Sequence, residues 1–242
     1  MPGHALYLGV DGGGTKTRFA LIDAAGTLLA QTQLGTAYHP QVGLDGVRHI
    51  LEEGIAIVLA PLQRGREDIA QAFFGLPAYG EDRRATAALD LIPGQVLGHQ
   101  RYACDNDMVC GWAGSLACAD GINIIAGTGS MGYGRRGAAA ARAGGWGEAF
   151  GDEGSAHWIA TQGLNAFSRM SDGRLPRGPL HAILRAHFGL DDDLDLCAHV
   201  YGEGVGTRGD IARLSVQVAQ AADASDAVAI GIFQQAGEEL SL

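Results

Sequence analysis

The sequence predicts an α/β protein whose two halves open in the same way. A strand, a glycine-rich turn and a second strand occur within residues 5–23, and the same order returns within residues 122–135. After each opening, apolar residues recur at helical spacing. The chain has 242 residues, of which 47% are hydrophobic. This length and composition suffice for one large domain or two smaller ones with a sizeable core.

The first half is predicted to begin with three strands joined by short glycine-containing turns, which is typical of an antiparallel meander. A helix with apolar positions at 47, 50, 51, 55, 58 and 59 follows the meander. Further strands and helices then alternate. The predicted strands span 5–10, 17–23, 28–34, 69–76 and 102–105, and the predicted helices span 44–59, 81–89 and about 108–119.

The second half is predicted to start with two strands, 122–126 and 131–135, and to become helical after residue 154. Asp210 and Asp226 are candidate helix N-caps, because a carboxylate can accept from the free amides of a first turn. We place a boundary near residues 116–121, giving domains 1–117 and 118–242. The predicted helices span 154–169, 178–188, 193–200, 210–222 and 226–240.

Composition excludes several classes of protein. The formal net charge is −10, with 27 acidic against 17 basic residues, which argues against a nucleic-acid binder. No apolar run approaches the ~18 residues of a membrane span, and the first residues lack the pattern of a signal peptide. Cys104, Cys110, Cys118 and Cys197 form no CxxC pair, so a structural zinc site is not expected. We therefore expect a cytoplasmic, reduced protein that does not bind membranes.

The first glycine turn, Asp11-Gly12-Gly13-Gly14-Thr15-Lys16, lies between two strands. Rossmann and Walker loops open a helix instead, so neither motif fits. Glycines expose backbone N–H groups that can hold phosphate oxygens, and Thr15 adds a hydroxyl. Asp11, at the strand end, is placed to hold Mg²⁺ through water. A plain glycine-rich β-turn accounts for this stretch equally well.

The second glycine turn, Gly127-Thr128-Gly129-Ser130, lies in the same context of strand, turn and strand. Either turn alone is a weak signal. The pair, one opening each half, predicts two related domains that bind one polyphosphate.

Polar residues near two predicted helix starts are candidates for chemistry. Asp105, Asn106 and Asp107 precede the helix at about 108, where any of the three could be its N-cap. Asp107 could instead face the end of the sheet as a base. The residues alone leave that choice open. Asp152 and Glu153 open the helix at 154, where carboxylates are favourable, and for Glu153 this explanation is as strong as ligand contact.

The loop Gly144-Gly145-Trp146-Gly147 is too rich in glycine to be core packing. Such a loop lets backbone amides and carbonyls approach the hydroxyls of a sugar. His157 and Trp158 follow one helical turn after residue 154 and are predicted to pack.

These motifs together resemble a known family. The matching stretches are GVDGGGTK at 9–16, ND at 106–107, GTGS at 127–130, GGWG at 144–147 and GDEGSAHWI at 151–159. In order and along the whole chain, the sequence resembles the BadF/BadG/BcrA/BcrD ATPases of the actin/hexokinase/acetate-kinase superfamily, in particular their N-acetylglucosamine kinase branch. The resemblance implies two ribonuclease-H-like (actin-like ATPase) domains, ATP in the cleft between them and an amino sugar as phosphoryl acceptor.

The resemblance also implies residue roles. Asp107 would be the catalytic base, and Asp11 would hold Mg²⁺ through water. The phosphates of ATP would contact Gly12, Gly13, Gly14, Thr15, Lys16, Gly127, Thr128, Gly129 and Ser130. The sugar would contact Tyr38, Asp107, Gly145, Trp146, Gly147, Asp152 and Glu153. The expected substrate is N-acetylglucosamine or glucosamine, phosphorylated at the 6-hydroxyl, and we expect a homodimer.

Two departures from the family pattern carry expectations. Tyr38 stands where the family usually has an asparagine, which predicts a weaker dependence on the N-acetyl group. The resemblance implies more sequence after residue 242, so we expect a C-terminally incomplete second domain with an unpaired strand edge. Such a chain would bind ATP weakly and discriminate poorly between ATP and GTP.

Two alternatives remain at this point. One is a dehydratase-activating ATPase of the same superfamily, which needs cysteines placed to hold an iron–sulfur cluster. The scattered cysteines do not indicate that arrangement. The other is a truncated, non-catalytic sugar-binding form.

Overall fold

The chain folds into two compact units, Met1–Cys118 and Ala119–Leu242. The structure, a computed structural model, describes residues 5–202 and 207–241. Within those ranges no helix has both the length and the apolar character that crossing a membrane requires.

The first unit is a five-stranded mixed sheet with three helices. The sheet order is β3-β2-β1-β4-β5. Strands β1, β2 and β3 form the predicted antiparallel meander, while β4 and β5 lie parallel to β1. The strands are β1 (Leu6–Gly12), β2 (Lys16–Ile22), β3 (Leu28–Gly35), β4 (Ile69–Leu76) and β5 (Tyr102–Asn106), and the helices are α1 (His39–Leu59), α2 (Arg83–Leu97) and α3 (Asp107–Leu116).

One face of this sheet carries the core. In β1 every second residue is buried, as expected when a single face is covered. Helix α1 packs closely enough that a Cβ on Gly54 would lie 2.3 Å from the Phe19 ring, so only glycine fits there. The core includes Leu6, Leu8, Val10, Phe19, Leu21, Val47, Leu51, Ile55, Phe74 and Leu89.

Two helices of this unit differ from the sequence prediction. Helix α1 starts at His39, but Gly43 has a φ of +69°, so regular helix follows from residue 44 as predicted. Helix α2 continues to Leu97, past the predicted end at residue 89. Pro93 is buried inside it, because packing of the second half against the core outweighs the lost hydrogen bond.

The second unit is a small antiparallel sheet followed by helices. The sheet order is β6-β7-β8. Strand β8 was not predicted, since its alanine-rich sequence has no apolar alternation and nearly all of it is exposed. The strands are β6 (Gly121–Ala126), β7 (Ser130–Arg136) and β8 (Ala139–Gly144), and the helices are α4 (Ala156–Ser171), α5 (Pro179–Phe188), α6 (Leu196–Tyr201), α7 (Arg208–Arg213), α8 (Ser215–Asp223) and α9 (Ala227–Glu239).

The core of this unit lies among the helices. It includes Phe167, Met170, Leu180, Leu184, Val218, Ala221 and Ala229. The predicted helix 210–222 is divided at Leu214 into α7 and α8, and α6 follows a short 3-10 turn, Asp193–Asp195.

Of the two predicted caps, Asp226 is confirmed and Asp210 is wrong. Asp226 accepts from the amides of Val228 and Ala229, and it also accepts from Leu180 at the start of α5. Helix α7 is capped by Thr207 instead, with Asp210 three residues later completing a capping box.

Candidate active site

The first glycine turn connects β1 to β2 as a tight hairpin. The Gly13 amide donates to the Lys16 carbonyl over 2.7 Å. Gly12 is buried, and a Cβ there would lie 2.9 Å from Pro77 Cδ and 3.0 Å from the Gly75 carbonyl oxygen. Gly14 and Thr15 are exposed at the tip. The turn thus presents bare backbone to solvent while its first glycine is held against β4.

The loop after β3 holds this turn from the side. The Thr36 hydroxyl donates to the Gly13 carbonyl over 2.8 Å, and the Ala37 amide donates to the Thr17 hydroxyl over 3.0 Å. Tyr38 follows directly, half-buried, with its amide donating to the Thr36 hydroxyl. The structure therefore places Tyr38 beside the first glycine turn within the same unit.

Asn106, not Asp107, caps helix α3. Its side-chain oxygen accepts from the Met108 amide over 3.2 Å, and its side-chain nitrogen donates to the Tyr79 carbonyl over 3.0 Å. The Asp105 carboxylate is occupied by the Asn106 amide at 2.8 Å. Asp107 is the first residue of the helix and does not supply its N-cap, although the backbone amides of Asp107 and Met108 contact its carboxylate and oppose the rise of its pKa.

Asp11 and Asp107 lie at the same end of the sheet. Asp11 is the second-last residue of β1, Asp107 follows β5, and Gly75 of β4 lies between the two strands in register. Burial, and then the negative charge of Asp11, raise the pKa of Asp107 to about 6. Partial burial also raises the pKa of Asp11, and the positive charges of Arg18 and Lys16 oppose that rise. Burial and the neighbouring negative charge both favour the protonated form of Asp107, which makes it a better proton acceptor near neutral pH.

The second glycine turn is attached to helix α4. The Gly127 carbonyl accepts from the Ala156 amide over 2.9 Å, and the Thr128 carbonyl accepts from the His157 amide over 3.4 Å. The Ser130 hydroxyl donates to the Glu153 carbonyl over 2.6 Å. The first amides of α4 are therefore engaged by the turn itself.

Arg208 is a site residue that sequence analysis missed. Its guanidinium pairs with the buried Asp152 carboxylate and lies 3.4 Å from Glu148 Oε2. A Cβ on Gly129 would lie 2.9 Å from Asp152 Oδ2 and closer still to the Arg208 guanidinium, so glycine is required there. The only sequence signal was its place in the glycine-rich stretch 202–209. The ion pair itself depends on tertiary structure.

The loop at Gly144-Gly145-Trp146-Gly147 depends on its glycines. Gly144, Gly145 and Gly147 all have φ between 71° and 89°, which L side chains rarely adopt. The Arg142 guanidinium donates to the carbonyls of Gly144 and Gly145. Trp146 is 72% exposed, so its ring is presented to solvent rather than packed.

A cavity of about 250 Å³ adjoins this loop. Glu153 lines the cavity, while Asp152 lies beside Gly129 of the second glycine turn, so the two neighbouring carboxylates have different surroundings. His157 and Trp158, predicted to be packing residues, also line the cavity. Burial, followed by the charge of Arg208, lowers the pKa of His157.

The predicted site residues thus form one group in each unit. Unit one brings together the first glycine turn, Tyr38, Asp11 and Asp107. Unit two brings together the second turn, the tryptophan loop, Asp152 and Glu153. In the described ranges, no three or more His, Cys, Asp or Glu side chains are grouped as a metal cage. Mg²⁺ does not need such a cage, because it keeps several waters and takes one or two carboxylates plus substrate phosphates.

Comparison with known proteins adds a family match. Residues 8–242 match the BadF/BadG/BcrA/BcrD ATPase family. The chain is 30% identical over 239 residues to the N-acetylmuramic acid/N-acetylglucosamine kinase of Clostridium acetobutylicum, covering 97% of this chain and 76% of that protein. It is 27% identical over 245 residues to the N-acetyl-D-glucosamine kinase of Dictyostelium discoideum, with the same coverage of 97% and 76%.

A similar solved structure supports the match. A candidate N-acetylglucosamine kinase from Chromobacterium violaceum aligns with a TM-score of 0.81 and 28% identity. The alignment covers 99% of this chain and 81% of that one.

Proposed function

The chain belongs to the BadF/BadG/BcrA/BcrD ATPase family and has the α/β fold of actin-like ATPases, and from that premise we propose that it is an amino-sugar kinase. The reaction is transfer of the γ-phosphoryl group of ATP to a hydroxyl of N-acetylglucosamine or glucosamine, at the 6-position. We further propose that residues 1–117 and 118–242 correspond to the family's two ATPase domains.

The observation that carries this proposal is the environment of Asp107. It is half-buried at the start of α3, its pKa is raised to about 6, and Asn106 supplies the cap in its place. A base with a pKa just below neutral is ionised at pH 7 and still accepts a proton readily. Asp107 would take the proton of the attacking sugar hydroxyl as the phosphorus–oxygen bond forms and ADP leaves.

The glycine turns are the proposed phosphate contacts. In the first turn, Gly14 and Thr15 are exposed, and a Cβ on Gly14 would meet no atom within 4 Å other than those of its chain neighbours. This open space around the turn would let phosphate oxygens approach its backbone N–H groups closely. The proposed set is Gly12, Gly13, Gly14, Thr15 and Lys16 in the first turn and Gly127, Thr128, Gly129 and Ser130 in the second.

The exposed carboxylate of Asp11 suits Mg²⁺, which it would hold through water. When bound, the ion neutralises charge on the phosphates. Lys16 is exposed at the same turn and adds a positive charge from the protein itself.

The sugar contacts are proposed from both groups of residues. Tyr38 and Asp107 belong to the first unit, and Gly145, Trp146, Gly147, Asp152 and Glu153 belong to the second. The exposed Trp146 ring offers a flat face of the kind that stacks on a pyranose. A Cβ on Gly147 would meet nothing within 4 Å, so a sugar can approach the loop closely at that position.

The deciding experiment is an ATP-consumption assay of the purified chain with N-acetylglucosamine, glucosamine and N-acetylmuramic acid offered separately. We expect sugar-dependent ADP release with at least one of the first two sugars. A 6-deoxy analogue of the best substrate tests the position and should give no product. Absence of sugar-dependent turnover with all three sugars would exclude the proposed activity.

A further inference from the structure

Gly75, in β4, lies between Asp11 of β1 and Asp107 at the start of α3. It pairs with Asp11 of β1 on one side and with Asp105 of β5 on the other. A Cβ at Gly75 would lie 2.5 Å from Cys110 Sγ and 3.1 Å from Asp107 Cα. Non-bonded heavy atoms rest at about 3.5–4.0 Å, so helix α3 approaches β4 at a distance that only glycine permits.

Cys110 joins the same helix to the neighbouring strand. Its thiol donates to the Val10 carbonyl over 3.4 Å, immediately before Asp11. Burial, and then the charge of Asp11, raise the pKa of the thiol to about 12, so it remains a protonated donor. Asp107 and Cys110 are three residues apart and therefore lie on one face of α3.

We propose that Gly75 and Cys110 are positioning residues that fix the place of the Asp107 carboxylate at the end of the sheet. The bare backbone of Gly75 sets how closely the first turn of α3 approaches β4. The thiol of Cys110 ties that turn to β1. The inference rests on the proposed function, because Asp107 acts as a base only in that reaction.

The first test is Gly75→Ala. Relieving the 2.5 Å contact with Cys110 Sγ and the 3.1 Å contact with Asp107 Cα moves the first turn of α3 away from β4 by up to about 1 Å, given ordinary contact distances. Displacement of a catalytic group by that amount can reduce kcat about 10²-fold, while KM for ATP should not change. Gly114→Ala is the matched control, because Gly114 is in the same helix and a Cβ there meets nothing within 4 Å. It should leave kcat unchanged.

The second test is the double variant Gly75→Ala/Cys110→Ala. Removing the sulfur leaves the Cys110 Cβ at 3.4 Å from the new methyl group, which is ordinary contact. We expect part of the lost kcat to return. Because relief of overpacking also restores stability, kcat is compared per folded molecule, with the folded fraction of each variant measured by circular dichroism. Cys110→Ser keeps a donor toward the Val10 carbonyl and should retain a higher kcat than Cys110→Ala. This pair of variants tests the inference if Gly75→Ala fails to fold.

A crystal structure of the Gly75→Ala variant gives a readout that does not depend on turnover. Asp107 Cα should move away from β4 in the single variant and return toward its place in the double variant. An unmoved Asp107, or no recovery of kcat in the double variant, would overturn the inference. If the unmodified chain phosphorylates no amino sugar, the proposed function fails, whereas the crystal structures still decide whether these residues position Asp107.

Discussion

At the scale of single residues, Asp107 carries the strongest prediction. Asp107→Asn keeps the shape of the side chain but removes the proton acceptor, which should lower kcat by about 10²–10⁴-fold. Asp105→Asn is the matched control, because its amide oxygen can still accept from Asn106 and Asp105 is exposed. Measured kcat should fall only for Asp107→Asn. Near-normal turnover of that variant would show that another group is the base.

The same substitution should stabilise the fold at neutral pH. A carboxyl whose pKa is raised from 3.8 to about 6 destabilises the native state once it ionises. The contribution of the protonated carboxyl to the free energy of unfolding is fully present below pH 3.8 and is lost as pH rises through about 6. Asp107→Asn should therefore raise the melting temperature at pH 7.5 and leave it unchanged near pH 3.5. Equal effects at both pH values would contradict the raised pKa.

The pH dependence of catalysis follows from the same pKa. The proposed base must be deprotonated, so kcat/KM should be level above pH 7 and fall below about pH 6. Glu81 is among the groups whose charge raises this pKa. Glu81→Gln should therefore move the acidic limb to lower pH. An unchanged profile would assign that limb to a different group.

Tyr38 carries the prediction on substrate choice. Its backbone amide is held beside the first glycine turn through Thr36, and it carries a phenol where the family resemblance predicts an amide side chain. We expect glucosamine and N-acetylglucosamine to compete within tenfold of each other, which corresponds to ~1.4 kcal/mol. Tyr38→Asn should shift the preference toward the acetylated sugar, as measured by the ratio of kcat/KM values. A larger preference in the unmodified chain would count against this role of Tyr38.

At the scale of elements, the sequence predicted those structures whose pattern is local. Strand β4 was predicted to the residue, and the strands around both glycine turns were predicted to within two residues, because apolar runs end where glycines begin. The second half of α2 was missed, since Pro93-Gly94 reads as a break while the buried Leu89, Ile92 and Val96 hold the helix together. Strand β8 has no apolar pattern at all. Both errors arose where tertiary contacts outweigh local preference.

Strand β6 supplies the prediction at this scale. In the part of the chain that the structure describes, β6 is an edge strand, with Ile122 72% and Ile124 52% exposed. A strand edge with exposed apolar side chains promotes association between sheets. Ile124→Lys should reduce concentration-dependent self-association in sedimentation experiments. Leu91→Lys is the control, since Leu91 is 60% exposed on a helix rather than on a strand edge. Equal effects of both variants would contradict a role for the edge.

At the scale of the whole molecule, the sequence predicts features made of consecutive residues and misses features that depend on residues distant in sequence. Motifs contiguous in sequence, such as the two glycine turns and the tryptophan loop, are recognisable from the order of the residues alone. The choice among Asp105, Asn106 and Asp107 required the hydrogen bonds that identify Asn106 as the cap. Arg208 and Gly75 were not predictable, because the partner of one and the crowding around the other come from residues distant in sequence.

The two proposed ligands should respond differently to removal of metal. A ligand that binds only the native state at one hundred times its Kd stabilises it by about 2.7 kcal/mol. No proposed sugar contact includes Asp11, so N-acetylglucosamine should raise the melting temperature equally with Mg²⁺ or with EDTA. ATP should stabilise strongly with Mg²⁺ and weakly with EDTA, since the proposed metal neutralises its phosphates.

Asp11→Asn separates the metal from the nucleotide. Loss of one carboxylate should weaken the hold on hydrated Mg²⁺, so the difference in ATP stabilisation between Mg²⁺ and EDTA should shrink. The increment from the sugar should persist, because Tyr38, Asp107 and the tryptophan loop are unchanged. Differential scanning fluorimetry of both proteins in the four ligand and metal combinations makes the comparison. ATP stabilisation that is insensitive to EDTA in the unmodified chain would rule out Asp11 as the residue through which Mg²⁺ supports nucleotide binding.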